Sequence, residues 1–586
     1  MSPVLNPYEP IDNLSIGKII EVDGTHIVSE LHHNISELSR IHSGEIYPIG
    51  QFGSIIKIHF GRRLIYAFVG RLRMKAEFQA ERGIITTASE DERIIEADLF
   101  GEAEWKKTKE DNWELTFDRG VSTFPLPQQS IYLTPKMELQ QIYKNDKGAM
   151  VHIGDHVGSI NTPCYADMNE LLGKHTAILG STGSGKSGTI AAILHSIIKK
   201  EPQIADNKWH PRIIILDPHG EYYSAFETHT RLSTEDNSLL LPYWLMNLEE
   251  TITLLVGKTT EAATSQSNIV KNALYSIKKQ NAITLGLDSD KVTVDSPIPY
   301  SIGGLGVILD DFGKDNGTLY TDGLIGEINN LRPNNNNKKD HESHNKIIAK
   351  IESLRNDPRL NFMMKEWTAS DGDIIASIIK QLICNPDQPC IVDLSGVPNE
   401  VAGVASAIIA RTLFSVKIWQ TPSERELDPV LLVCEEAHRY VPNRGEAQYE
   451  AAQEAIRRIA KEGRKYGIGL MLVSQRPSEV ESTVLSQCSS WIVLRITNEN
   501  DRQQVKSLLP DSMSGLEKML SGLRKREAIF IGQATIIPSR VLIKKLNPNE
   551  LPKSNDIDFE RGWKTELASD THIMEVAVRW RYQQKN

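Results

Sequence analysis

The stretch Gly180-Ser-Thr-Gly-Ser-Gly-Lys-Ser187 decides the fold of this chain. It fits the pattern G-x-x-x-x-G-K-[ST], in which glycines let backbone N–H groups surround phosphate oxygens, the lysine reaches the β- and γ-phosphates and the final hydroxyl binds Mg²⁺. A short apolar run at 175–179 precedes it, and a run with the spacing of a buried helix follows at 188–199. A strand, a glycine-rich loop and a helix in this order predict a phosphate-binding loop at a helix N-terminus, where an anion is favoured.

The loop supplies most of the predicted nucleotide site. Lys186 is the predicted ligand of the β- and γ-phosphates, and Ser187 is the predicted ligand of Mg²⁺. The residues predicted to bind the nucleotide are Gly180, Ser181, Thr182, Gly183, Ser184, Gly185, Lys186, Ser187 and Gly188.

The composition is that of an ordinary globular protein with more than one domain. The chain has 586 residues, which is more than one hydrophobic core normally organises. Its formal net charge of −10 excludes a surface that is basic all over, so any contact with nucleic acid must be a local patch. The five cysteines lack CxxC spacing and predict reduced thiols. The absence of a signal sequence and of a long apolar run predicts a soluble, cytoplasmic protein with no membrane contact.

The N-terminal part is patterned as short strands. Residues 14 to about 135 alternate apolar and polar positions between tight turns, which favours a small barrel. No catalytic pattern occurs there, and His32, His33, His42 and His59 are too scattered to predict a metal site. A barrel without chemistry ahead of a nucleotide-binding core indicates a docking or oligomerisation module.

From about residue 150 strands alternate with helices, which predicts a parallel sheet covered on both faces. The apolar run 212–216 ends in Asp217, and Glu221 follows four residues later. Because ligands of such sheets gather at the carboxyl ends of strands, both acids are predicted near the phosphates, although either could be a turn-forming carboxylate. The last strand, at 527–532, is predicted to close the sheet.

A second acidic motif follows the apolar run 429–434. The run predicts a buried strand that ends in Glu435 and Glu436. We expect Glu435 to orient the water shell of the metal and Glu436 to polarise the attacking water, because phosphoryl transfer depends on positioning and charge neutralisation.

A polar residue and a basic helix complete the set of candidates. Gln475 follows the predicted core strand 468–473, where its amide can sense the γ-phosphate or the attacking water. A helix predicted at 446–466 carries basic residues that either form a solvated face with i,i+4 pairs or contribute to a site. These residues are Arg457, Arg458, Lys461, Arg464 and Lys465.

Taken in order, these motifs resemble the HerA branch of the HerA/FtsK ATPases. The resemblance covers roughly residues 10 to 550 and includes the β-rich start, which is similar to the N-terminal barrel of that family. It rests on the motifs at 180–187, 217–222, 392–395, 435–438, 461–464 and 474–477.

The resemblance implies a homohexameric, RecA-like ring that hydrolyses ATP with Mg²⁺ between subunits and threads double-stranded DNA through its pore. It assigns triphosphate and metal to Lys186 and Ser187, with Glu435 as the second metal residue. Glu436 would then be the catalytic carboxylate and Gln475 the sensor.

An arginine from the neighbouring subunit is also implied. Arg464 is the candidate for this trans role, and Arg457 and Arg458 compete with it. Pore contacts are expected at Arg439, Arg444 and Lys338, on loops that face the axis.

The resemblance also implies partners. HerA relatives act with a nuclease such as NurA in end resection, or with antiphage defence effectors such as sirtuin-like NADases or nucleases. The leading hypothesis is an ATP-driven DNA translocase. The alternatives are an ATP-gated hexameric scaffold that assembles and activates a partner effector, and a secretion-type ATPase of the conjugative family that moves protein.

The whole pattern predicts an α/β protein with a RecA-like P-loop NTPase core, an N-terminal small β-barrel, a helical insertion and a C-terminal arm. The arm either braces an adjacent subunit or is a surface tail. The predicted domains are the barrel at 1–140, the first core part at 141–245, the insertion at 246–385, the second core part at 386–545 and the arm at 546–586.

Overall fold

The chain folds into two compact units. The first comprises Met1–Trp209, Met471–Ser478 and Leu485–Pro548, and the second comprises His210–Leu470, Glu479–Val484 and Asn549–Asn586. The computed structural model describes residues 8–582 apart from positions 36, 52, 84–91, 110–112, 144–148, 158–161, 201–208, 258–260, 304–322, 333–337, 369–370, 386–387, 444–449, 508–518, 554–556 and 565–567.

The first unit begins with nine strands and a short helix. They are β1 (Ser15–Asp23), β2 (His26–Leu31), β3 (Ser39–His42), β4 (Glu45–Pro48), β5 (Ile55–Phe60), β6 (Arg63–Met74), α1 (Lys75–Glu81), β7 (Arg93–Lys107), β8 (Trp113–Arg119) and β9 (Ser130–Leu133). Six of these strands follow each other as β2-β1-β9-β5-β6-β7, and the pairing of β7 with β2 closes the ring. The predicted N-terminal barrel is therefore confirmed.

The interior of the barrel is a packed hydrophobic core. Along β7 buried positions alternate with half-buried ones, so one face of the strand lines the inside. The side chains that fill it are branched and fully buried, which excludes a ligand-sized lumen. They include Ile16, Ile27, Ile56, Ile65 and Ile95.

A buried ion pair attaches the following helix to the barrel. Helix α2 (Lys136–Tyr143) carries Glu138, whose Oε1 lies 2.5 Å from Lys57 Nζ of β5. Tyr66 of β6 donates its hydroxyl to the other carboxylate oxygen at 3.2 Å. Because both charges are buried, losing one partner would leave an uncompensated charge, and the pair fixes the position of α2.

The first unit continues into the nucleotide-binding half. Its elements are β10 (Met150–His156), β11 (Pro163–Asp167), α3 (Met168–Gly173), β12 (Thr176–Leu179) and α4 (Lys186–Ile198). Strand β12 is fully buried, and α4 buries the apolar residues that its spacing predicted. The loop between β12 and α4 is the glycine-rich stretch, so the strand, loop and helix order is confirmed.

The second unit contains four parallel strands. They are β13 (Ile213–Asp217), β14 (Thr230–Ser233), β15 (Cys390–Asp393) and β16 (Val430–Cys434), in the order β16-β13-β15-β14. Every residue of β13, β15 and β16 is buried, as expected of parallel strands that are covered on both faces.

Helices separate these strands, and the predicted helical insertion is present between β14 and β15. The helices are α5 (Leu248–Leu255), α6 (Glu261–Thr284), α7 (Leu324–Asn330), α8 (Lys338–Arg355), α9 (Asn361–Met364) and α10 (Ile375–Ile383), followed by α11 (Asn399–Trp419), α12 (Pro422–Leu427) and α13 (Glu450–Glu462). Arg411 of α11 donates from Nε and Nη2 to the buried carboxylate of Glu250 at 2.9 and 2.8 Å, which ties α5 to α11.

Within the residues that the structure describes, one helix is long and apolar enough to cross a membrane, judged by length and composition. It spans Val401–Trp419 within α11, and 72% of its apolar window is buried inside the protein. Core helices of globular proteins pass the same test, so this helix is no argument for a membrane span.

The chain returns to the first unit through β17 (Ile468–Ser474). The later elements are α14 (Ser482–Leu485), β18 (Ser490–Val493), α15 (Glu499–Lys506), β19 (Glu527–Gly532) and β20 (Ser539–Ile543). The strands of this unit lie in the order β11-β10-β20-β19-β18-β12-β17, with β12 parallel to both of its neighbours.

The prediction that the strand at 527–532 closes the sheet is wrong. β19 pairs with β18 on one side and with β20 on the other, both antiparallel. β20 pairs in turn with β10, so β10 and β11 extend this side of the sheet. The sequence between β19 and β20 reverses the chain into a hairpin, a feature that apolar periodicity alone does not show.

The C-terminal stretch after β20 ends in two helices, α16 (Phe559–Trp563) and α17 (Asp570–Tyr582). Neither helix has a buried residue, and large apolar side chains such as Trp563 and Trp580 are exposed. The predicted C-terminal arm is therefore present as exposed helices.

Candidate functional site

The glycine-rich loop has the backbone conformation that phosphate binding requires. Gly183 and Gly185 adopt positive φ angles of 74° and 100°, a region that side-chain-bearing residues rarely occupy. A Cβ at Gly180 would lie 2.7 Å from Ser184 Oγ and 2.9 Å from Leu494 Cβ, so this position also excludes a side chain.

The N-terminus of α4 faces the inside of this loop. Gly185 is the N-cap of the helix, and among the described residues no side chain caps it. The first-turn N–H groups and the helix dipole therefore favour an anion, and Lys186 begins the helix with its side chain largely buried. The loop and its residues fit a nucleotide triphosphate, with Lys186 on phosphate oxygens and the Ser187 hydroxyl suited to Mg²⁺.

Neighbouring strands hold the start of the loop. Gly180 N donates to Ser474 O at the end of β17 at 3.2 Å, and Ser181 N donates to Arg495 O after β18 at 2.8 Å. These bonds fix the loop to both strands that flank β12. The loop position is thus set by the first unit itself.

A third contact comes from the start of β19. Arg526 N donates to Ser184 O at 3.1 Å, and Arg526 has a positive φ of 68°. A Cβ at Gly185 would approach this Arg526 N to 3.3 Å. A non-glycine residue in the left-handed region is uncommon, and here it packs the hairpin directly against the loop.

The structure brings the predicted sensor to the loop. Thr182 Oγ1 donates to Gln475 Oε1 at 2.6 Å, although the two residues lie 293 positions apart in the sequence. Gln475 follows β17, which runs beside the loop-bearing strand β12. Among the predicted catalytic residues, Lys186 and Gln475 therefore lie together in the first unit.

The predicted acids lie in the second unit, at the carboxyl ends of adjacent strands. Asp217 of β13 is the register partner of Asp393 of β15, and Leu216 is the partner of Cys434 in β16. Glu435 N donates to Leu216 O at 3.3 Å, so the acidic motif continues the strand edge. Three strands thus deliver carboxylates to one edge of the second unit.

The first of these carboxylates shapes its own turn. Asp217 Oδ1 accepts hydrogen bonds from the N–H groups of His219 and Gly220 at 3.2 and 2.9 Å, and Oδ2 accepts one from Tyr222 N at 2.9 Å. Burial raises the pKa of Asp217 to about 6, and these backbone donors oppose the shift. Asp217 therefore organises the turn 217–222, the structural role that the sequence left open.

The second carboxylate is neutralised by an arginine. Arg231 donates to Asp393 Oδ2 from Nε at 3.1 Å and from Nη2 at 2.5 Å, and it also contacts Glu235 at 2.9 Å. Asp393 itself is buried. Its charge is therefore held by an ion pair within the second unit.

The third strand carries the acids that the sequence singled out. Glu435 and Glu436 are only 4% and 5% exposed. Glu436 adopts a left-handed conformation with φ 54° and ψ 51°, and its Oε2 lies 3.2 Å from His438 Nδ1. The sequence assigned no role to His438; its only signal was its position in the motif, two residues after Glu436.

The structure separates the competing arginines. Arg457 donates from Nε and Nη2 to the Glu481 carboxylate, both at 3.0 Å, and from Nη1 to Glu454 at 2.7 Å. Arg458 lies 4.6 Å over the ring of Phe414. Both arginines are therefore engaged within their own chain.

Arg464 differs from both. It lies in the 3-10 turn Gly463–Tyr466 that follows α13, where it is exposed. It forms no hydrogen bond or ion pair with another residue in the described part of the chain. Of the three arginines, it is the one whose guanidinium has no such contact in the described part of the chain.

The expected pore residues are only partly described. Arg439 lies half-buried in the turn Ala437–Arg439. Lys338 is the first residue of helix α8, so the expected loop position of this residue is wrong. The side chain of Lys338 and the whole of Arg444 lie outside the described residues, so their pore contacts stay predictions.

The barrel contains a group of potential metal ligands around one of the scattered histidines. His33, Glu30 and Glu92 each offer a ligand atom, and these atoms lie within 4.8 Å of one another. Lys75 Nζ lies 3.1 Å from the Glu30 carboxylate and 2.9 Å from that of Glu92. The single positive charge of Lys75 bridges both carboxylates, so the two acids and the lysine form an ion-pair cluster.

The cysteines are free thiols, as the sequence predicted. Cys384 is exposed, and the others are buried: Cys164, Cys390, Cys434 and Cys488.

Comparison with known proteins shows that the middle of the chain is similar to one family. The family described as "Helicase HerA, central domain" matches residues 151–413, which include the glycine-rich loop, β13 to β15 and most of α11. The chain is 26% identical over 448 residues to a probable helicase of Methanocaldococcus jannaschii, covering 75% of this chain and 76% of the relative.

Two further proteins extend the comparison. The chain is 29% identical to a "DNA double-strand break repair helicase HerA" of Saccharolobus solfataricus, covering 73% of this chain and 74% of the relative. Among solved structures, VirB4 of Thermoanaerobacter pseudethanolicus aligns with a TM-score of 0.45 at 16% identity, over 69% of this chain and 99% of the other.

Proposed function

We propose that this protein is an ATP hydrolase of the HerA type and a motor that moves double-stranded DNA, because the family model of the HerA central domain matches residues 151–413. The motor is a homohexamer in which ATP and Mg²⁺ are bound between subunits. The Saccharolobus solfataricus relative is a DNA double-strand break repair helicase, which supports DNA as the substrate.

The phosphate loop and the acidic strand end divide the chemistry. Lys186 binds the β- and γ-phosphates, and Ser187 and Glu435 hold Mg²⁺, which neutralises charge on the phosphate oxygens. Glu436 accepts the proton of the attacking water, and Gln475 orients that water or the γ-phosphate.

Arg464 supplies the positive charge from the neighbouring subunit. An arginine that acts in trans needs a guanidinium that is not bound to groups of its own subunit. Arg464 meets this condition in the described part of the chain. Arg457 does not, because two carboxylates hold its guanidinium. A trans arginine makes hydrolysis depend on ring assembly.

The observation that carries this proposal is the left-handed glycine loop at the N-terminus of α4, with Gln475 bonded to it through Thr182. In an accidental glycine-rich turn, a hydrogen bond between the third loop residue, Thr182, and the side-chain amide of Gln475 from a distant strand end would not be expected. The family match covers the loop and α4 and supports this proposal.

A partner effector completes the proposed assembly. The closed barrel has a packed interior and no catalytic pattern, which suits a docking module. The partner is a nuclease of the NurA kind or a defence effector such as a sirtuin-like NADase or a nuclease, and the complex acts in the cytoplasm.

ATP hydrolysis with and without linear double-stranded DNA tests the motor. We expect strong stimulation by DNA, DNA binding that weakens steeply with salt, and a hexameric mass with a non-hydrolysable nucleotide and Mg²⁺. Lys186→Ala serves as the control that removes turnover in both conditions. No stimulation by DNA, with activation only on adding the partner, would replace the motor with the ATP-gated scaffold.

A further inference from the structure

Two large apolar side chains are exposed at the ends of consecutive helices in the second unit. Trp419 is the last residue of α11 and is 86% exposed, and Leu427 is the last residue of α12 and is 79% exposed. An exposed leucine is common on protein surfaces, whereas tryptophan is highly buried on average. Exposed apolar side chains that lie together mark interaction sites, whereas isolated ones are normal.

The ends of the two helices are bonded to each other. The residues that directly follow the exposed pair, Gln420 and Asp428, are joined by a hydrogen bond of 2.7 Å from Nε2 to Oδ2. Arg425 also donates from Nη2 to Ile418 O at 2.8 Å. Because these bonds link α12 to the last turn of α11, the two exposed side chains lie close together on one corner of the second unit.

The same corner contacts the turn that carries Arg464. The Arg425 guanidinium lies 4.7 Å over the ring of Tyr466, and the centroid of the Phe414 ring of α11 lies 5.2 Å from that of the same tyrosine. Tyr466 ends the turn Gly463–Tyr466, in which Arg464 is exposed. The two apolar side chains and Arg464 are therefore carried by elements in direct contact with one another.

We propose that Trp419, Leu427 and Arg464 form one interface patch, which a second copy of this chain covers with the face that carries its phosphate loop. This inference rests on the proposed function, in which Arg464 acts on nucleotide held by the neighbouring subunit. The Arg464 guanidinium has no hydrogen bond or ion pair in the described part of the chain, and a bound triphosphate supplies the complementary charge. That complementarity identifies the occupant of the patch as another copy of the chain.

The members of the interface patch have different tasks. A ring of identical subunits joins each subunit to the next through two different surfaces, so every contact in the ring contains the patch once. A few tryptophan, tyrosine and arginine side chains near the centre of an interface carry most of its binding energy. Trp419 and Leu427 therefore hold the neighbouring subunit in place, and Arg464 acts on its nucleotide.

Substitutions in the full-length protein test the assembly role of the patch. With a non-hydrolysable nucleotide and Mg²⁺, we expect Trp419→Ala to raise the protein concentration at half-assembly by about 30-fold or more. Leu427→Ala should raise it less, because leucine is rarely a dominant interface residue. Ile283→Ala is the matched control: Ile283 lies in α6, is 68% exposed and is remote in sequence from the patch, so this variant should assemble normally. Analytical ultracentrifugation measures these concentrations.

ATP hydrolysis separates assembly from chemistry. The Trp419→Ala variant should be slow at low protein concentration and should return to within about twofold of the unsubstituted rate once high concentration restores the ring. Arg464→Ala should stay slow at every concentration. The thermal midpoint of unassembled Trp419→Ala should match that of the unsubstituted subunit, because the side chain is exposed there.

Photocrosslinking identifies what covers the patch. A benzophenone amino acid at position 419 should crosslink to a second copy of the chain, in peptides near residues 180–187, when nucleotide and Mg²⁺ are present. Crosslinks only within the same chain, only to added DNA or only to a partner effector would overturn the inference.

The assembly measurements give further decisive outcomes. Normal assembly of Trp419→Ala, or slow hydrolysis that high protein concentration does not restore, would contradict the patch. If the unsubstituted protein stays monomeric with nucleotide and Mg²⁺, the proposed ring itself fails. A ring of the unsubstituted protein that Trp419→Ala leaves intact removes only the role of the patch.

Discussion

The phosphate loop and the strand-end acids build their binding groups in opposite ways. In the loop, glycines free the backbone, and N–H groups at the start of α4 face the ligand. At the ends of β13, β15 and β16 the charged groups are carboxylate side chains and not backbone N–H groups. A glycine motif therefore predicts the phosphate loop almost completely. Acidic residues at strand ends do not by themselves show which acid binds metal, which activates water and which stabilises a turn.

The acids show this difference directly. Both carboxylate oxygens of Asp217 accept hydrogen bonds from backbone N–H groups, and Asp393 is paired with Arg231. Glu435 and Glu436 follow the third strand. All four side chains come from the same strand edge, and the proposed mechanism uses Glu435 for the metal and Glu436 for the water. Substitutions in the loop should therefore change mainly ATP affinity, whereas substitutions of the strand-end acids should change mainly kcat or stability.

Glu436→Gln should have the largest effect. We expect kcat for ATP to fall by about 10³-fold or more, because an amide cannot accept the proton of the attacking water. ATP affinity and thermal midpoint should stay unchanged. Steady-state hydrolysis, calorimetric nucleotide binding and thermal unfolding measure these quantities. Normal hydrolysis would transfer the role to Glu435, which Glu435→Gln then checks.

Arg464→Ala should come next, with a fall in kcat of about 10²- to 10³-fold from the loss of one charge-stabilising donor. Arg457→Ala is the matched control, which should lower stability through the loss of its pairs with Glu481 and Glu454 and leave turnover largely intact.

Mixed rings test the trans assignment of Arg464. Subunits with Lys186→Ala lack a working loop but carry Arg464, and subunits with Arg464→Ala have the reverse defect. Mixing the two inactive proteins should restore part of the hydrolysis rate, because some sites then receive both groups. Mixed rings with no activity would show that Arg464 acts within its own subunit or not at all.

Gly185→Ala tests the loop side. Gly185 has φ 100°, and its Cβ would lie 3.3 Å from Arg526 N, so an alanine costs about 1 to 3 kcal/mol of strain in the binding-competent loop. We expect ATP affinity to fall about 10- to 100-fold, measured by equilibrium titration. Gly173→Ala, where a Cβ meets nothing within 4 Å, should leave ATP affinity unchanged. Equal affinity in both variants would contradict a backbone cradle.

Asp217→Asn should have the smallest effect on catalysis. Replacing Oδ2 by an amide N–H₂ sets a donor against Tyr222 N–H, which costs about 1 to 3 kcal/mol of unfolding free energy. Denaturant unfolding measures this loss, and kcat should change by less than about 10-fold. A loss of turnover as large as that of Glu436→Gln would contradict a purely structural role and support a role of Asp217 in the nucleotide site.

The sequence predicted the parts of the fold that local patterns encode. Alternation gave the closed barrel, and the glycine motif gave the strand, loop and helix that bind phosphate. It placed Gln475 beside the loop because strand ends of a parallel sheet meet at one edge. The prediction that β19 ends the sheet was wrong because β19 and β20 form a hairpin, which apolar periodicity does not reveal.

The rest depends on contacts between distant positions. The carboxylate that holds Arg457 lies 24 residues away, so the sequence could not rank Arg457 against Arg464. The same holds for the bond between Thr182 and Gln475. Asp217 could not be told from a ligand residue, because its role depends on three N–H groups whose direction only the folded turn defines.

The contact between the loop and the β19–β20 hairpin has a mechanical consequence. Arg526 N is bonded to Ser184 O of the loop, Arg526 O accepts from Ile543 N at 2.9 Å, and Ile543 of β20 pairs with Gly154 of β10. The hydroxyl of Tyr143 in α2 lies 3.3 Å from Ser539 Oγ of β20, and the buried Lys57–Glu138 pair attaches α2 to the barrel. These contacts connect the barrel to the loop through α2 and the β19–β20 hairpin, so a force on the barrel would be transmitted to the phosphate loop through directly bonded elements.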